Sequence, residues 1–282
     1  MKLAGIVTLY YPGPEVIDHI LSYLTELDYL YIFDNSESPD SNIQKHLASL
    51  PHIQYISYKK NMGISYVLNY ALRKSQLAGY EFLLTMDQDS SFPNGSLGQY
   101  KRDILKYEHL KPSTVGMYCV YYTGSVEPNN KIDKIRNVDI AITSGSILPV
   151  NLAVQCGGFD ENLFIDEVDF EYCYRVKQKG FKIVEFPQIT LNHSLGNPTE
   201  HCIFGHCFTT YNHNALRRYY ITRNKIYVAK KYPQIRWRYI KSIIRGDISV
   251  LLVEKNKASK IYMSLKGLID GILDHMGKYP TT

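Results

Sequence analysis

The chain has 282 residues, 45% of them hydrophobic, 13% aromatic and 21% charged, with a formal net charge of +5 at pH 7. That composition excludes a disordered or collagen-like chain, and the length suffices to bury a substantial core without disulfides or structural metal. No uncharged apolar run reaches the length of a transmembrane helix. Residues 1–10 carry one lysine and then an apolar run meeting Tyr10-Tyr11-Pro12, which reads as a first strand rather than a signal peptide.

The five cysteines are odd in number and mostly far apart, so no disulfide framework is expected, and a reducing cytoplasm is the expected compartment. His201-Cys202-x-x-x-His206-Cys207, with His213 nearby, has a superficial zinc look, but its spacing fits no standard finger. The net charge conceals a polarity. Residues 201–282 hold 15 Lys and Arg against 4 Asp and Glu, whereas residues 1–200 hold 17 against 23. A basic last third points to an anionic surface or partner.

In chain order, residues 2–10 predict a strand closed by Pro12, Gly13 and Pro14, and residues 15–27 a helix with Val16, Ile17, Ile20, Leu21, Leu24 and Leu27 on one side. Residues 29–33 predict a second strand ending in Asp34-Asn35-Ser36, residues 53–58 a third, and residues 63–77 another helix. Residues 82–86 form a buried fourth strand running into Asp87-Gln88-Asp89-Ser90. This alternation predicts a parallel sheet with helices on both faces. The rhythm then changes. Residues 115–122 and 135–143 read as strands with no crossover helix between them, 166–179 as a helix, 182–186 as a strand, and 189–193 as an apolar stretch leading into Gly196-Asn197-Pro198. From residue 212 the pattern is helical and basic. The expected organisation is an α/β catalytic domain over residues 1–210 and a basic helical extension over 211–282 packed on it.

Ligands of open parallel sheets gather at the carboxyl ends of the strands. There is no G-x-G-x-x-G, no G-x-x-x-x-G-K-[ST] and no G-x-S-x-G, so dinucleotide, P-loop and serine-hydrolase readings lack support. Asp87 and Asp89, two apart on extended chain, point the same way and can face one hard divalent cation, or simply form an acidic turn. Asp166-Glu167-Val168-Asp169-Phe170-Glu171 places four carboxylates at a helix start. They serve either the helix dipole or, where burial raises a carboxyl pKa, general base catalysis. His193, ending an apolar stretch, is either a satisfied core histidine or a metal ligand.

Taken in order, these pieces resemble the family 2 glycosyltransferases, inverting enzymes with the GT-A fold, and more narrowly their bacterial rhamnosyltransferase-like branch. The resemblance spans roughly residues 5–225. It rests on 7–12 (Val-Thr-Leu-Tyr-Tyr-Pro), Asp34-Asn35-Ser36, Asn61-Met62-Gly63 with Asn69 and Ala71, Asp87-Gln88-Asp89-Ser90, and Thr143-Ser144-Gly145-Ser146. It continues through Gly157-Gly158-Phe159-Asp160, the acidic motif, His193, and Arg218-Tyr219-Tyr220 with Arg223-Asn224.

The resemblance implies that Thr8, Tyr10, Asp34, Asn61, Gly63 and Ser144 line the nucleotide-sugar pocket. It implies that Asp87 faces the ribose or the metal, and that Asp89, with His193, ligates Mg²⁺ or Mn²⁺. Arg218 and Arg223 would clamp the diphosphate. The general base would be Asp166, with Glu167 second. The wider family usually has Glu-Asp where this chain has Asp-Glu, while in the narrower branch the first acid is the constant one. The implied donor is dTDP-rhamnose and the implied acceptor a surface polysaccharide or its lipid-linked precursor. The basic tail is then either an interfacial helix at the inner membrane leaflet or a solvated face. No nucleic-acid module accompanies the charge. Rival readings are a nucleotidyltransferase, which lacks its basic Gly-rich loop here, and a non-catalytic nucleotide-sugar or glycan-binding protein.

Overall fold

A computed structural model describes residues 1–122, 134–193, 198–203 and 205–280. The chain divides into two compact units, Met1–Asp160 with Asp169–Ser194, and Glu161–Val168 with Leu195–Thr282. The Gly196-Asn197 turn of the sequence reading lies outside the described residues.

The first unit opens with strands and helices in alternation: β1 (Leu3–Leu9), α1 (Val16–Leu24), β2 (Tyr29–Asp34), α2 (Ser41–Ala48), β3 (Ile53–Ser57), α3 (Ile64–Leu77) and β4 (Phe82–Asp87). The strands pair in parallel, β2 between β3 and β1, and β1 between β2 and β4. β1 is buried along its whole length, because helices cover both faces of a parallel sheet and leave no solvated side. The two-residue β5 (Ser90–Ser91) and the 15-residue α4 (Ser96–Leu110) follow, then β6 (Val115–Tyr122), β7 (Arg136–Val138), β8 (Ser146–Pro149), α5 (Val150–Gln155), α6 (Val168–Gln178) and β9 (Lys182–His193).

β8 enters antiparallel to both β4 and β6, while β9 runs parallel to β6, giving the order β3-β2-β1-β4-β8-β6-β9-β5 with β7 beside β9. The core gathers between this sheet and its helices, with Tyr23, Tyr100, Tyr118 and Phe186 among its large members.

Several sequence expectations change here. Residues 135–143 supply only the three-residue β7, and the pairing strand is β8 further on. Residues 182–186 and 189–193 are one strand, interrupted where the register with β6 jumps from Val120↔Phe186 to Tyr121↔Thr190. Pro187 lies in that jump and has no N–H for the ladder, which explains the bulge.

Two residue groups quoted for the resemblance turn out to be packing devices. Asn69, on α3, accepts from Phe159 N–H at 2.7 Å and donates to Phe159 C=O at 2.8 Å. Gly158 (φ +63°) passes so close to Asn69 that a Cβ would stand 2.4 Å from its Oδ1. The Phe159 ring then stacks on Tyr172 of α6 at 4.7 Å.

The second unit contains the hairpin β10 (Thr199–Ile203) and β11 (His206–Thr210), then α7 (Ala215–Lys231), α8 (Arg236–Val253) and α9 (Lys257–Ile272). Cys202 and Cys207 stand directly opposite in the hairpin and form a disulfide. This corrects the cysteine reading: the pair that looked like part of a zinc cluster is consumed by a cross-strand bond, and His201 Nε2 bonds Thr210 Oγ1 at 3.0 Å. Cys119, Cys156 and Cys173 are buried thiols.

α9 lies against α7 through a seam of small residues. A Cβ on Gly267 would fall 2.5 Å from Tyr219 C=O, and one on Gly271 2.6 Å from Arg223 C=O. Backbone atoms cannot yield as flexible side chains do, so Gly267→Val is expected to destabilise the protein by about 1–3 kcal/mol or more, seen as a clear drop in melting temperature. An unchanged melting temperature would show that α7 and α9 do not pack this closely.

Candidate active site

The register of the first unit sets three expected donor residues side by side. Thr8 of β1 is level with Asp87 of β4, and Leu9, the next residue, with Asp34 of β2. Carboxyl groups therefore collect at the carboxyl ends of adjacent parallel strands. Asp34 is buried; its Oδ1 accepts from Ser36 N–H at 2.8 Å and its Oδ2 from the Tyr55 hydroxyl. Tyr10 is exposed, with its N–H on Gln88 Oε1 at 2.7 Å. Asn61 Oδ1 receives Gly63 N–H at 3.0 Å, and Gly63, at φ +85°, leads into α3 in a conformation only glycine adopts without strain.

The loop after β4 brings Asp87 and Asp89 to His193. The antiparallel pairing of β5 with the end of β9 sets Ser90 opposite His193. As a result, carboxylate oxygens of both aspartates and an imidazole nitrogen lie within 4.8 Å of one another. His193 Nδ1 is 3.4 Å from Asp89 Oδ1 and 2.8 Å from Ser90 Oγ. Burial pulls the His193 pKa down, but the Asp89 hydrogen bond and the charges of Asp89 and Asp87 outweigh it and leave it raised.

Two carboxylates and one imidazole are a donor set that hard or borderline divalent ions accept. The oxygens suit Mg²⁺ and Mn²⁺, and the nitrogen tilts the set toward Mn²⁺.

Ser144 is buried, accepts from Asp87 N–H at 3.1 Å and donates to Ser90 Oγ at 2.7 Å. A chain of contacts thus runs from the Asp87 backbone through Ser144 and Ser90 to His193. Gly145 (φ +74°), with its N–H on Thr85 C=O at 2.8 Å, bends the loop that puts Ser144 there. Ser90 was quoted in the sequence motif without a role. Gln88 and His19 were missed as supports, the His19 Nδ1 lying 2.8 Å from Gln88 C=O. A cavity of about 230 Å³ lined by Tyr121, Tyr122, Arg136, Phe170 and Glu185 was also unforeseen. The ring of Tyr122 meets His193 edge-on, with centroids 6.0 Å apart.

The acidic motif belongs to the second unit. Asp166 and Glu167 are consecutive non-glycine residues in the left-handed region, at φ +64° and +62°. Each such residue costs about 1–2 kcal/mol, and strain of this kind collects at functional sites. α7 holds the turn: Asn224 Nδ2 donates to Ile165 C=O at 2.6 Å and to Asp166 C=O at 3.1 Å, and Arg217 Nη2 donates to Asp166 Oδ1 at 2.7 Å. Asp166 Oδ2 is buried with no hydrogen-bond partner among the described residues. Glu167 is only 7% exposed and accepts from the Tyr239 hydroxyl of α8.

Arg218 and Arg223, expected to clamp a diphosphate, also make contacts within this unit. Arg218 pairs with Asp247 at 2.5 Å. Arg223, only 1% exposed, donates to Gly277 C=O at 2.8 Å and Asn224 Oδ1 at 3.0 Å, and its guanidinium lies over the rings of Tyr219 and Tyr220. Arg218 Nε and Arg223 Nη2 are buried with no hydrogen-bond partner among the described residues.

No family model matches the chain. Along nearly its whole length it is similar to the dTDP-rhamnosyl transferase RfbF of Shigella flexneri, at 24% identity over 96% of this chain and 95% of that protein. It is also similar to the low-salt glycan biosynthesis hexosyltransferase Agl10 of Haloferax volcanii, at 20% identity over 97% and 92%. Among solved structures, GalNAc-T7 with UDP, GalNAc and Mn²⁺ superposes with a TM-score of 0.63 at 10% identity, covering 97% of this chain and 56% of that one. TarS of S. aureus (residues 1–349) with UDP-GlcNAc gives 0.54 at 12% identity, covering 98% and 74%. The chain therefore has the GT-A glycosyltransferase fold, and the resemblance drawn from its motifs extends to sugar transferases that match it end to end.

Burial raises the Glu167 pKa from 4.5 to about 7; Lys225, the Tyr239 hydrogen bond and Arg238 pull it down, and Asp166 pushes it up. Between those two values the folded chain holds a proton that the unfolded chain has lost. This group's contribution to stability is therefore present at low pH and falls as pH rises through about 7. Glu167→Gln keeps an acceptor for Tyr239 and removes the titration. The melting temperature of the variant relative to the native protein is expected to rise from about pH 5 to about pH 8. A pH-independent difference would show that Glu167 is ionised throughout.

Proposed function

We propose that the protein is an inverting glycosyltransferase that moves a sugar from a nucleotide-diphosphate donor to a glycan acceptor. The observation that carries this reading is the convergence of Asp87, Asp89 and His193 at the carboxyl end of β4 in a GT-A fold. Thr8, Tyr10, Asp34, Asn61 and Gly63 would form the wall for base and ribose, with Asp87 toward the ribose or the cation. Asp89 and His193 would hold Mg²⁺ or Mn²⁺, which when bound supplies positive charge for the departing nucleoside diphosphate. Ser144 and Ser90 keep those ligands in position rather than touching the sugar.

Asp166 is the proposed base. Its Oδ1 is fixed by Arg217 while its Oδ2 is left to accept the proton of an acceptor hydroxyl. That hydroxyl oxygen bonds to the anomeric carbon as the bond to the diphosphate oxygen breaks, and attack from the opposite face inverts the centre. Glu167, held by Tyr239, is a positioning residue that keeps its neighbour in the left-handed turn.

Rhamnose from dTDP-rhamnose is the favoured donor, supported by the motif resemblance and by the similarity to RfbF. The proposed acceptor is a growing surface polysaccharide or its lipid-linked precursor, reached at the inner face of the membrane. The helices of 211–282 would serve as the extension that brings the enzyme there.

Melting with UDP, dTDP and GDP, with and without Mn²⁺, is expected to show stabilisation only with the metal and most strongly with dTDP. Asp166→Asn is expected to keep that stabilisation and to lose transfer by roughly 100-fold or more. Full transfer in Asp166→Asn with none in Glu167→Gln would move the base to Glu167. No nucleotide response in any condition would favour a non-catalytic protein of the same fold.

A further inference from the structure

α8 and α9 both pack on α7, and each turns a large apolar stripe outward. On α8 the buried positions are Tyr239, Ile243 and Val250, and on the opposite side Trp237, Ile244, Ile248, Leu251 and Leu252 stand about half exposed or more, Trp237 at 71%. On α9 the buried positions are Lys260, Ser264, Gly267 and Gly271, and Tyr262, Leu265, Ile269, Ile272 and Leu273 face out. Ten large apolar side chains exposed on two neighbouring helices exceed the scatter normal for a protein surface.

The charge around these stripes has one sign. Arg236, Lys241 and Arg245 are exposed on α8, Lys255 between the helices and Lys257 at the start of α9. All four acids of the last 82 residues are tied to other groups. Asp247 pairs with Arg218, Glu254 with Lys260 and Asp274 with Lys230, and Asp270 accepts from the Tyr219 hydroxyl. Each of these four acids is thus engaged with a residue other than the exposed cations just named. Among the described residues, no helix is long and apolar enough to cross a membrane.

We propose that these faces of α8 and α9 dock on the surface of an anionic phospholipid bilayer. Trp237 and the aliphatic stripes would enter the headgroup boundary while the lysines and arginines meet lipid phosphates. A second copy of the chain fits less well, since a two-fold pairing of this face would set cation against cation. The proposal rests on the reading of a membrane-linked acceptor only for its biological purpose; the physical argument stands on α8 and α9 alone.

Trp237 is the only tryptophan in the chain, so its emission reports on this face directly. The full-length protein is mixed with vesicles of phosphatidylcholine alone or with added phosphatidylglycerol, with no donor or acceptor present. Expected are co-flotation with the anionic vesicles, a blue shift of Trp237 emission, and weakening of both by salt. Lys241→Glu with Arg245→Glu, on exposed positions, is expected to lower vesicle affinity roughly tenfold or more while the melting temperature holds.

Absence of flotation, or flotation with unshifted emission, would overturn the proposal. So would a blue shift that depends on protein concentration and not on lipid, which would assign the face to self-association. Vesicle binding is read without sugar transfer. A failed transferase reading would leave it standing, and failed binding would leave transfer to a soluble acceptor intact.

Discussion

Asp87 and Asp89 repel each other at the end of a strand, and much of the first unit's irregular structure serves to keep them together. The loop carrying them is tied at Gln88 to Tyr10 and His19, and at Ser90 to His193 and Ser144. The partners come from β1, α1, β9 and the loop before β8, so the cluster exists only when the sheet has closed. A divalent cation held by these groups would relieve the repulsion.

The second unit meets a different constraint. Asp166 and Glu167 occupy backbone conformations that neither residue prefers, and α7 and α8 hold them there through Asn224, Arg217 and Tyr239. Those helices are in turn fixed by the close approach of α9 along Gly267 and Gly271 and by Arg223, whose buried guanidinium gathers the carbonyls of the C-terminal segment. The energy stored in the turn is recovered in packing well away from it. Glu167 carries a further cost, since its carboxyl group is buried beside only partial charge compensation.

The parallel half of the sheet was legible in the sequence because its strands are apolar runs closed by proline, glycine or aspartate. α4 was not. Its buried residues Leu97, Tyr100 and Ile104 are scattered among charged ones, and the pattern is weak without the sheet beneath it. β8, four residues long, is too short to show a period. The hairpin of 199–210 is rich in polar types, and its defining bond joins residues whose spacing suggested metal.

The Asp-x-Asp signal was local and readable. Its dependence on Ser90 and Ser144 was not, because those contacts are set by strand pairing more than 50 residues away in sequence. Arg218 and Arg223 read from the sequence as basic residues on a helix, and their burial against Tyr219, Tyr220, Asp247 and backbone carbonyls is set by packing that no local pattern shows. Asp166 is of a type that visits the left-handed region, but nothing in Asp166-Glu167 announces two such residues in succession, since Glu seldom does.

The claim on which the account most depends is that Asp89 and His193 hold the cation that faces the donor diphosphate. Anomalous diffraction from crystals grown with Mn²⁺ and dTDP tests it most directly. The account predicts a manganese peak ligated by Asp89 and His193 and bridged to the diphosphate, lost in crystals of Asp89→Asn. Nucleotide bound at the strand ends with no manganese at these residues, or manganese held by other carboxylates, would contradict it.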